Sequence, residues 1–385
     1  MRYGSMEIDY LRKEIDEIDK KILKLFEDRM ELCKKVALYK KENNLPVFQP
    51  ERERKLLNEK LNLVKDPALG DAVYDLFSLI MEKSRALQSK IIGDEVRKRR
   101  LREFIKINEK EIENPKIIYF GEEGSFSEEA AISHFGENAI RKNAKTFEDV
   151  FLAVEKGICD FGVLPIENTS TGSINDVYDL LAQYGCYIYG EIKIAINQCL
   201  LGVEGASVDT ISEVFSHEQG FFQCKEFFKE HPDIKKTPYS STSESAKYVK
   251  ELGDITKGAI AGKRAAEKYG LKVLKENINY SKNNKTRFII ISKFLSIKDD
   301  ANEISITFTL PHESGTLFNV LSTLAKNNLS MSRIESRPIQ DKSFEYRFFV
   351  DFLGNLKEEY IKSALFDIME KCLEFRLLGN YKSEK

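Results

Sequence analysis

GVLPIENTSTGSINDVYDLL, residues 162–181, is the stretch from which the fold can be read. An apolar, strand-like run from Gly162 to Ile166 stops at a glutamate. Seven polar or small residues follow, Glu167 to Ser173, and then the pattern turns helical. Ser173 with Asp176 has the form of a capping box, which starts the helix and absorbs part of the polarity. Glu167, Asn168 and Thr169 are not absorbed. They stand at the carboxyl end of a strand, where open α/β sheets bind ligands.

The same layout recurs over residues 115–294. KIIYF (116–120) precedes GEEGSFSEEAAISHF, EVFSH from 213 precedes EQGFFQCKEFF, GAIAG from 258 precedes a helix to Tyr269, and RFIIIS closes the region. This alternation predicts an α/β region with parallel-type sheets, long enough for two lobes. GEEGSFS lacks both G-x-G-x-x-G and a Walker lysine, so neither a dinucleotide nor a nucleoside triphosphate is indicated. Ser125 and Ser127 at that helix start suit a carboxylate or a plain cap. Two more polar clusters flank strands: SHEQ (216–219) and NNKTRF (283–288).

Residues 5–106 carry almost no strand signal. Pro46, Pro50 and Pro67 divide them into a long helix, a shorter one and another long one. In the first helix Leu11, Ile15, Ile18, Ile22, Leu25, Arg29, Leu32 and Val36 step by fours and threes, an a/d seam with one polar member, Arg29. Lys40 continues the stripe. In the third helix Val73, Phe77, Ile80, Ser84, Leu87 and Ile91 repeat the arrangement, with Gln88 one turn beyond Ser84. A rod of about 55 Å cannot bury such a stripe alone, so pairing with another copy is expected. A guanidinium in an apolar seam is costly unless an anion meets it. With Arg12, Arg52, Lys40, Ser84 and Gln88, Arg29 predicts a dry, positive pocket for a small dianion.

Residues 300–385 read strand, helix, strand, strand, helix, strand, the ferredoxin-like βαββαβ order, with LSMSRIESRP and FEYRFFVDFL as a hairpin. RKRRLREFIKINEKEIENP (97–115) reads as a solvated helix end and linker, because acidic residues follow the basic ones at once.

The balance of 60 basic against 62 acidic residues leaves no global basic excess for nucleic acid. Six scattered cysteines without C-x-x-C point to a reducing cytoplasm, and four dispersed histidines give no metal-ligand spacing. Apolar runs are of strand length, so no membrane span is expected. No cofactor or metal is called for.

Three resemblances join these readings. LRKEIDEIDKKILKLFEDRMELCKKVALYK, LPVFQPERERKLL and FSLIMEKSRALQ resemble the all-helical chorismate mutases. That resemblance implies that two entwined three-helix chains form each active site, with Arg12 reaching into the partner's pocket. It also implies Arg29 and Arg52 on the substrate carboxylates, Lys40 and Gln88 on the ether oxygen, Glu53 on the ring hydroxyl and Ser84 nearby. Gln49 stands where an aspartate is common.

GEEGSFS, PIENTSTGSINDVYDLL, NQCLLG, SHEQGFFQC and NNKTRF resemble prephenate dehydratase, a fold of two lobes like a periplasmic binding protein with substrate in the cleft. The resemblance implies Thr286 as the acid that protonates the leaving ring hydroxyl, with Arg287 adding positive charge and Phe288 packing the pocket. Ser125, Ser127, Glu167, Asn168, Thr169 and Gln219 would hold or polarise the substrate. Glu218 replaces the family's usual proline, and His217 reads as structural.

The C-terminal region resembles the ACT domain of the same enzymes through SGTL (314–317) and ESRP (335–338). It implies a phenylalanine site at Gly315, Thr316, Leu317, Glu335, Ser336, Arg337 and Pro338, between paired domains. The whole then reads as a multidomain cytoplasmic homo-oligomer: an all-α chorismate mutase (5–106), an α/β dehydratase (115–294) and an α+β ACT domain (300–385). Two other readings are a non-catalytic ligand sensor dimerised by its helices, and a mutase fused to prephenate dehydrogenase. The in-seam cations and the Thr286-Arg287 pair oppose the first. The missing nicotinamide fingerprint opposes the second.

Overall fold

The computed structural model describes residues 5–43, 45–92, 112–281, 283–339 and 344–383. The chain divides into two compact units, Met1–Phe104 and Ile105–Lys385. The charged stretch at 97–115 lies, up to residue 111, outside the described residues.

The first unit contains α1 (Ser5–Glu42), α2 (Pro50–Asn62) and α3 (Gly70–Ile92). Pro50 opens α2, where a missing N–H leaves no bond unmade. Arg29 meets Ser84, and Ala37 clusters with Val47 and Ile92, so α1 and α3 lie side by side in the same direction. Leu11, Ile15, Ile18, Ile22, Leu25, Leu32 and Val36 remain 45–68% exposed in the single chain. Arg29 is the seam member turned toward α3.

In the second unit, β1 (Lys116–Phe120), β2 (Ile140–Ala144), β3 (Phe161–Asn168), β4 (Gly172–Ser173) and β5 (Tyr187–Ala195) begin a first lobe. Its helices are α4 (Phe126–Phe135), α5 (Phe147–Glu155) and α6 (Asn175–Gln183). The chain then crosses to a second lobe. This holds β6 (Cys199–Gly202), β7 (Glu213–Ser216), β8 (Lys235–Pro238), β9 (Lys257–Ala261) and β10 (Lys272–Lys275) in the order β10-β6-β9-β7-β8. Helices α7 (Glu218–Gln223), α8 (Lys225–Glu230), α9 (Thr242–Leu252) and α10 (Lys263–Tyr269) belong to it. The chain returns through β11 (Lys285–Ser292) between β3 and β5. Both sheets are packed on both faces, which is why β3 and β11 are almost continuously apolar. The outgoing and returning crossings lie together, Ile196 N donating to the Asn284 carbonyl at 2.8 Å.

The last region contributes β12 (Glu303–Thr309), α11 (Thr316–Lys326), β13 (Met331–Pro338), β14 (Tyr346–Leu353), α12 (Glu359–Met369) and β15 (Glu374–Tyr381). The βαββαβ order and the β13–β14 hairpin match the sequence reading.

Two expectations change. The first-lobe sheet is mixed: β1 pairs in parallel with β2 and β3, but β11 is antiparallel to β3 and β5. The returning strand enters from the far lobe and so runs the opposite way. Residues 115–294 and 300–385 also share a sheet. One sheet runs β13-β14-β12-β15-β5-β11-β3-β1-β2, with β4 paired to β3. At its seam Gly379 faces Ile188, where a Cβ would lie 2.2 Å from the Ile188 carbonyl oxygen. Finally, Ser173 does not cap a helix. It pairs with Glu167 in β4 and donates to Glu335 at 2.6 Å, while α6 starts from Ile174 without a side-chain cap. The strand pairing of Ser173 takes it out of the cap position, and its bond to a carboxylate is charge-assisted.

His134 at the end of α4 packs beside Phe135 and Tyr189, close over Gly190. Burial first, then the charge of Lys298, lowers its pKa from 6.5 to about 4. The unfolded chain therefore binds this proton more readily, and the stability contribution, whole above 6.5, is lost as pH falls toward 4. Urea titrations of His134→Gln should show a flatter dependence of stability on pH across that window. A slope equal to the parent's would refute the assignment.

Candidate functional site

In the helical unit Arg29 donates to Ser84 Oγ, and Ser84 donates to the Ile80 carbonyl at 2.7 Å. Ser84 and Gln88 are buried on α3, and Gln88 Oε1 has no hydrogen-bond partner among the described residues. A buried orphan of this kind costs about 1–3 kcal/mol. Lys40 donates to the Val47 carbonyl at 2.6 Å, and Glu53 pairs with Arg85. Arg52 is exposed, as is Arg12, which pairs with Asp9 at 3.4 Å. Arg12 precedes Arg29 by 17 residues, about 26 Å along a helix. One chain therefore brings Arg29, Ser84 and Gln88 together, but not Arg12.

In the dehydratase-like lobes the decisive group is a hydrogen-bond chain. Ser170 N donates to Asn168 Oδ1 at 2.8 Å. This fixes the amide's orientation, so Asn168 Nδ2 is the donor. It reaches Asn284 Oδ1 at 2.9 Å and Thr286 Oγ1 at 2.8 Å. Ser170 and Thr169 hydroxyls also donate to Asn284 Oδ1, at 3.0 and 3.4 Å. A lone pair of the Thr286 hydroxyl is thus occupied, and its hydrogen is left to donate. A bulge builds this corner. β11 pairs Arg287 with Glu167 but Phe288 with Pro165, skipping Ile166, whose carbonyl accepts Ile174 N at 2.8 Å. Bulges beside Pro re-aim a strand end in this way.

Alternation along the strands separates the other candidates. Glu167 and Arg287 lie opposite one another, on the face away from Asn168 and Thr286. There Arg287 meets Glu191 at 2.9 Å and Asp351 at 3.2 Å, and Glu167 meets Arg333 at 2.6 Å. Burial works to lower the Arg287 pKa, but Asp351 foremost, with Tyr381 and Glu191, outweighs it and holds the guanidinium charged above its ordinary value. Direct substrate contact from this pair is therefore not what the geometry offers.

Ser125 caps α4, accepting Glu128 N at 3.3 Å, and Ser127 is buried beside it. This loop touches the second lobe, since a Cβ on Gly124 (φ +77°) would lie 2.9 Å from Ala265 Cα. Phe288 is buried in the core with Tyr119 and Ile194. His217 caps α7, its Nδ1 accepting Gln219 N at 3.2 Å, and leaves Gln219 exposed on the second lobe. Sequence reading missed Asn284 and the Gln198–Gln223 side-chain bond at 3.0 Å. Their only signal was position: Asn284 within NNKTRF, Gln198 within NQCLLG and Gln223 within SHEQGFFQC.

A cavity of about 340 Å³ lies under the 310–317 turn, lined by Leu310, His312, Thr316, Leu317, Tyr346 and Phe348 among others. Ser336 and Pro338 pair with Phe348 and Tyr346, whereas Arg337 and Glu335 pair with Arg347 and Phe349 on the other face. Arg337 forms a fork on Asp179 at 3.0 and 2.7 Å, and Glu335 takes the Ser173 hydroxyl. The ESRP motif thus divides between two faces of one strand. A larger cavity, about 720 Å³, lies at the opposite end of β3 and β11, around Asp160, Phe161 and Ser292. It holds none of the candidate residues.

Residues 117–294 match the family model for prephenate dehydratase, and residues 11–89 match that for chorismate mutase type II. A bifunctional chorismate mutase/prephenate dehydratase of Buchnera aphidicola is 36% identical over 381 residues, 97% of this chain and 96% of that protein. The chain belongs to the bifunctional chorismate mutase/prephenate dehydratase family. Its counterpart in Aquifex aeolicus is 32% identical over 97% of this chain and 98% of its own length. A crystal structure of the Arthrobacter aurescens prephenate dehydratase in complex with L-Phe matches at 28% identity and a TM-score of 0.65, over 70% of this chain and 90% of that one. The chain therefore carries both activities. It rearranges chorismate to prephenate, then converts prephenate to phenylpyruvate in phenylalanine biosynthesis. The sensor and dehydrogenase readings are set aside. Among the described residues no helix is long and apolar enough to cross a membrane.

Proposed function

We propose that Thr286 is the acid of the dehydratase reaction, that Arg29, Ser84 and Gln88 form the heart of the mutase pocket, and that phenylalanine regulates from the 310–317 cavity. The observation that carries the first assignment is the Asn168 Nδ2 bond to Thr286 Oγ1 at 2.8 Å. The ring hydroxyl of prephenate takes the threonine proton and leaves as water. The bond to the ring carboxylate breaks, its electron pair enters the ring, and carbon dioxide departs. Solvent returns one proton to the threonine. Aromatisation drives the step, so a positioned donor suffices. Ser125, Ser127, Thr169 and Gln219 are the remaining polar groups for the two carboxylates, with Phe288 packed beneath.

The mutase step needs no nucleophile. It needs the reactive conformer held and donors where charge develops on the ether oxygen. Arg29 and Arg52 serve the carboxylates, Lys40 and Gln88 the ether oxygen, and Glu53 the ring hydroxyl, with Ser84 holding Arg29. Arg12 comes from a second copy. The exposed seam of α1 supports this, since Leu11 through Val36 need a cover and Arg12 lies too far from its own chain's Arg29.

The C-terminal region is an ACT domain in this reading, and the homo-oligomer works in the cytoplasm, where the six thiols, all free, stay reduced. An assay from chorismate with and without phenylalanine tests the whole. Phenylpyruvate should form without added cofactor, and millimolar phenylalanine should suppress it. Dehydratase activity unmoved by phenylalanine would remove the regulatory part.

A further inference from the structure

The chain's last region does more than lie beside the dehydratase lobes. β13 and β14 form a two-faced ribbon. One face carries Tyr346 and Phe348 into the 340 Å³ cavity, with Ser336 and Pro338 in register beside them. The other carries Arg333, Glu335, Arg337, Phe349 and Asp351 into the first lobe. There Arg333 meets Glu167, Arg337 forks on Asp179, Phe349 packs on Tyr178 at 5.0 Å between ring centroids, and Asp351 meets Arg287.

The charges at this face close among themselves. Arg287, Arg333 and Lys193 stand against Glu167, Glu191 and Asp351. Ser305 donates to Asp351 at 2.6 Å and Ser383 to Glu191 at 3.0 Å. Arg287, Glu191 and Asp351 are buried and tolerate no missing partner, because what is left behind is an uncompensated charge; Arg333 and Glu167 form the half-buried edge of the cluster. Glu167 depends on Arg333, since its other cation, Arg287, stands 3.9 Å away. Glu167 is also the residue before Asn168, whose amide holds the Thr286 hydroxyl. Adjacent residues of one strand turn together, so the hold on Glu167 is a hold on Asn168.

We propose that Arg333 is a positioning residue of the dehydratase site. It sets the Glu167-Asn168 corner, and the β13–β14 ribbon carries the occupancy of the cavity to that corner. This rests on Thr286 as the acid and on the cavity as the phenylalanine site.

The test compares full-length Arg333→Ala and Arg333→Lys with the parent. Dehydratase kcat and KM are measured on prephenate, phenylalanine binding by calorimetry, the thermal melt as a control that the second unit folds, and mutase turnover as a control of the first. Arg333→Ala should lower dehydratase kcat roughly ten- to a hundredfold with KM little changed. It should bind phenylalanine as before but respond to it weakly, and lysine should restore part of both. Parental kcat and inhibition in Arg333→Ala would overturn the proposal. A rise in KM alone would overturn it too, since that marks a substrate contact. If Arg333→Ala does not fold, Glu167→Gln, which keeps the shape and removes the charge, should show the same loss of kcat and of response; parental behaviour there overturns the proposal. If the parent itself binds no phenylalanine, the cavity reading and the relay fall, and the kcat of Arg333→Ala alone decides the positioning role.

Discussion

Replacing Thr286 by alanine should lower phenylpyruvate formation by about 10²–10⁴-fold and leave prephenate production intact. The hydroxyl sits at the return crossing between the lobes, 7% exposed, with Asn168 Nδ2 on its oxygen. Alanine removes the hydroxyl whose oxygen the Asn168 amide holds and whose proton is left to donate. It creates only a small cavity, because one hydroxyl and one methyl group are lost. Stability should fall by about 2 kcal/mol, the scale of one hydrogen bond and one buried methyl. Thr286→Ser keeps the donor and should retain a measurable part of the rate. The measurement is phenylpyruvate formation from supplied prephenate, with mutase turnover on the same preparation. Undiminished dehydratase activity in the alanine variant would refute the assignment.

The second large effect is at Arg29. Arg29→Ala should reduce mutase kcat/KM by about 10³-fold or more, the scale lost when a preorganised charge is withdrawn from a dry site. Ser84 would lose its guanidinium partner but keep its bond to the Ile80 carbonyl, so α3 has no reason to unfold. Dehydratase activity on supplied prephenate reports folding of the rest of the chain. The two variants are therefore controls for one another. A mutant at Arg29 with near-parental turnover of chorismate would displace the pocket from this seam.

Much of the site was legible in order along the chain. Polar clusters at the ends of strands announced GEEGSFS, Asn168-Thr169, SHEQ and Thr286, because a sheet end leaves backbone groups and loops free to meet a ligand. The a/d spacing announced Arg29 and Ser84, because the helical period alone decides which residues share a face. What could not be read was which neighbours face opposite ways in space. Glu167 and Asn168 adjoin in sequence, as do Thr286 and Arg287. The pleat sends Asn168 and Thr286 to one face, and Glu167 and Arg287 to an ionic cluster on the other. A bulge at Ile166, beside Pro165, shifts the register there, and a bulge leaves no count in the sequence. Ser173 was read as a helix cap for the same reason. Its partner, Glu335, lies 162 residues away.

By itself, then, the sequence determined the three kinds of region, the order of their elements and the residue types that suit each reaction. These depend on local period and local polarity. Only the tertiary structure decided that the last region shares a sheet with the dehydratase lobe. It also decided that ESRP serves two faces, and that Asn284 joins Asn168 beneath Thr286. Each of these is a long-range pairing, governed by which buried charges and amides find partners once the strands are side by side. A chain read one neighbour at a time carries no record of that choice.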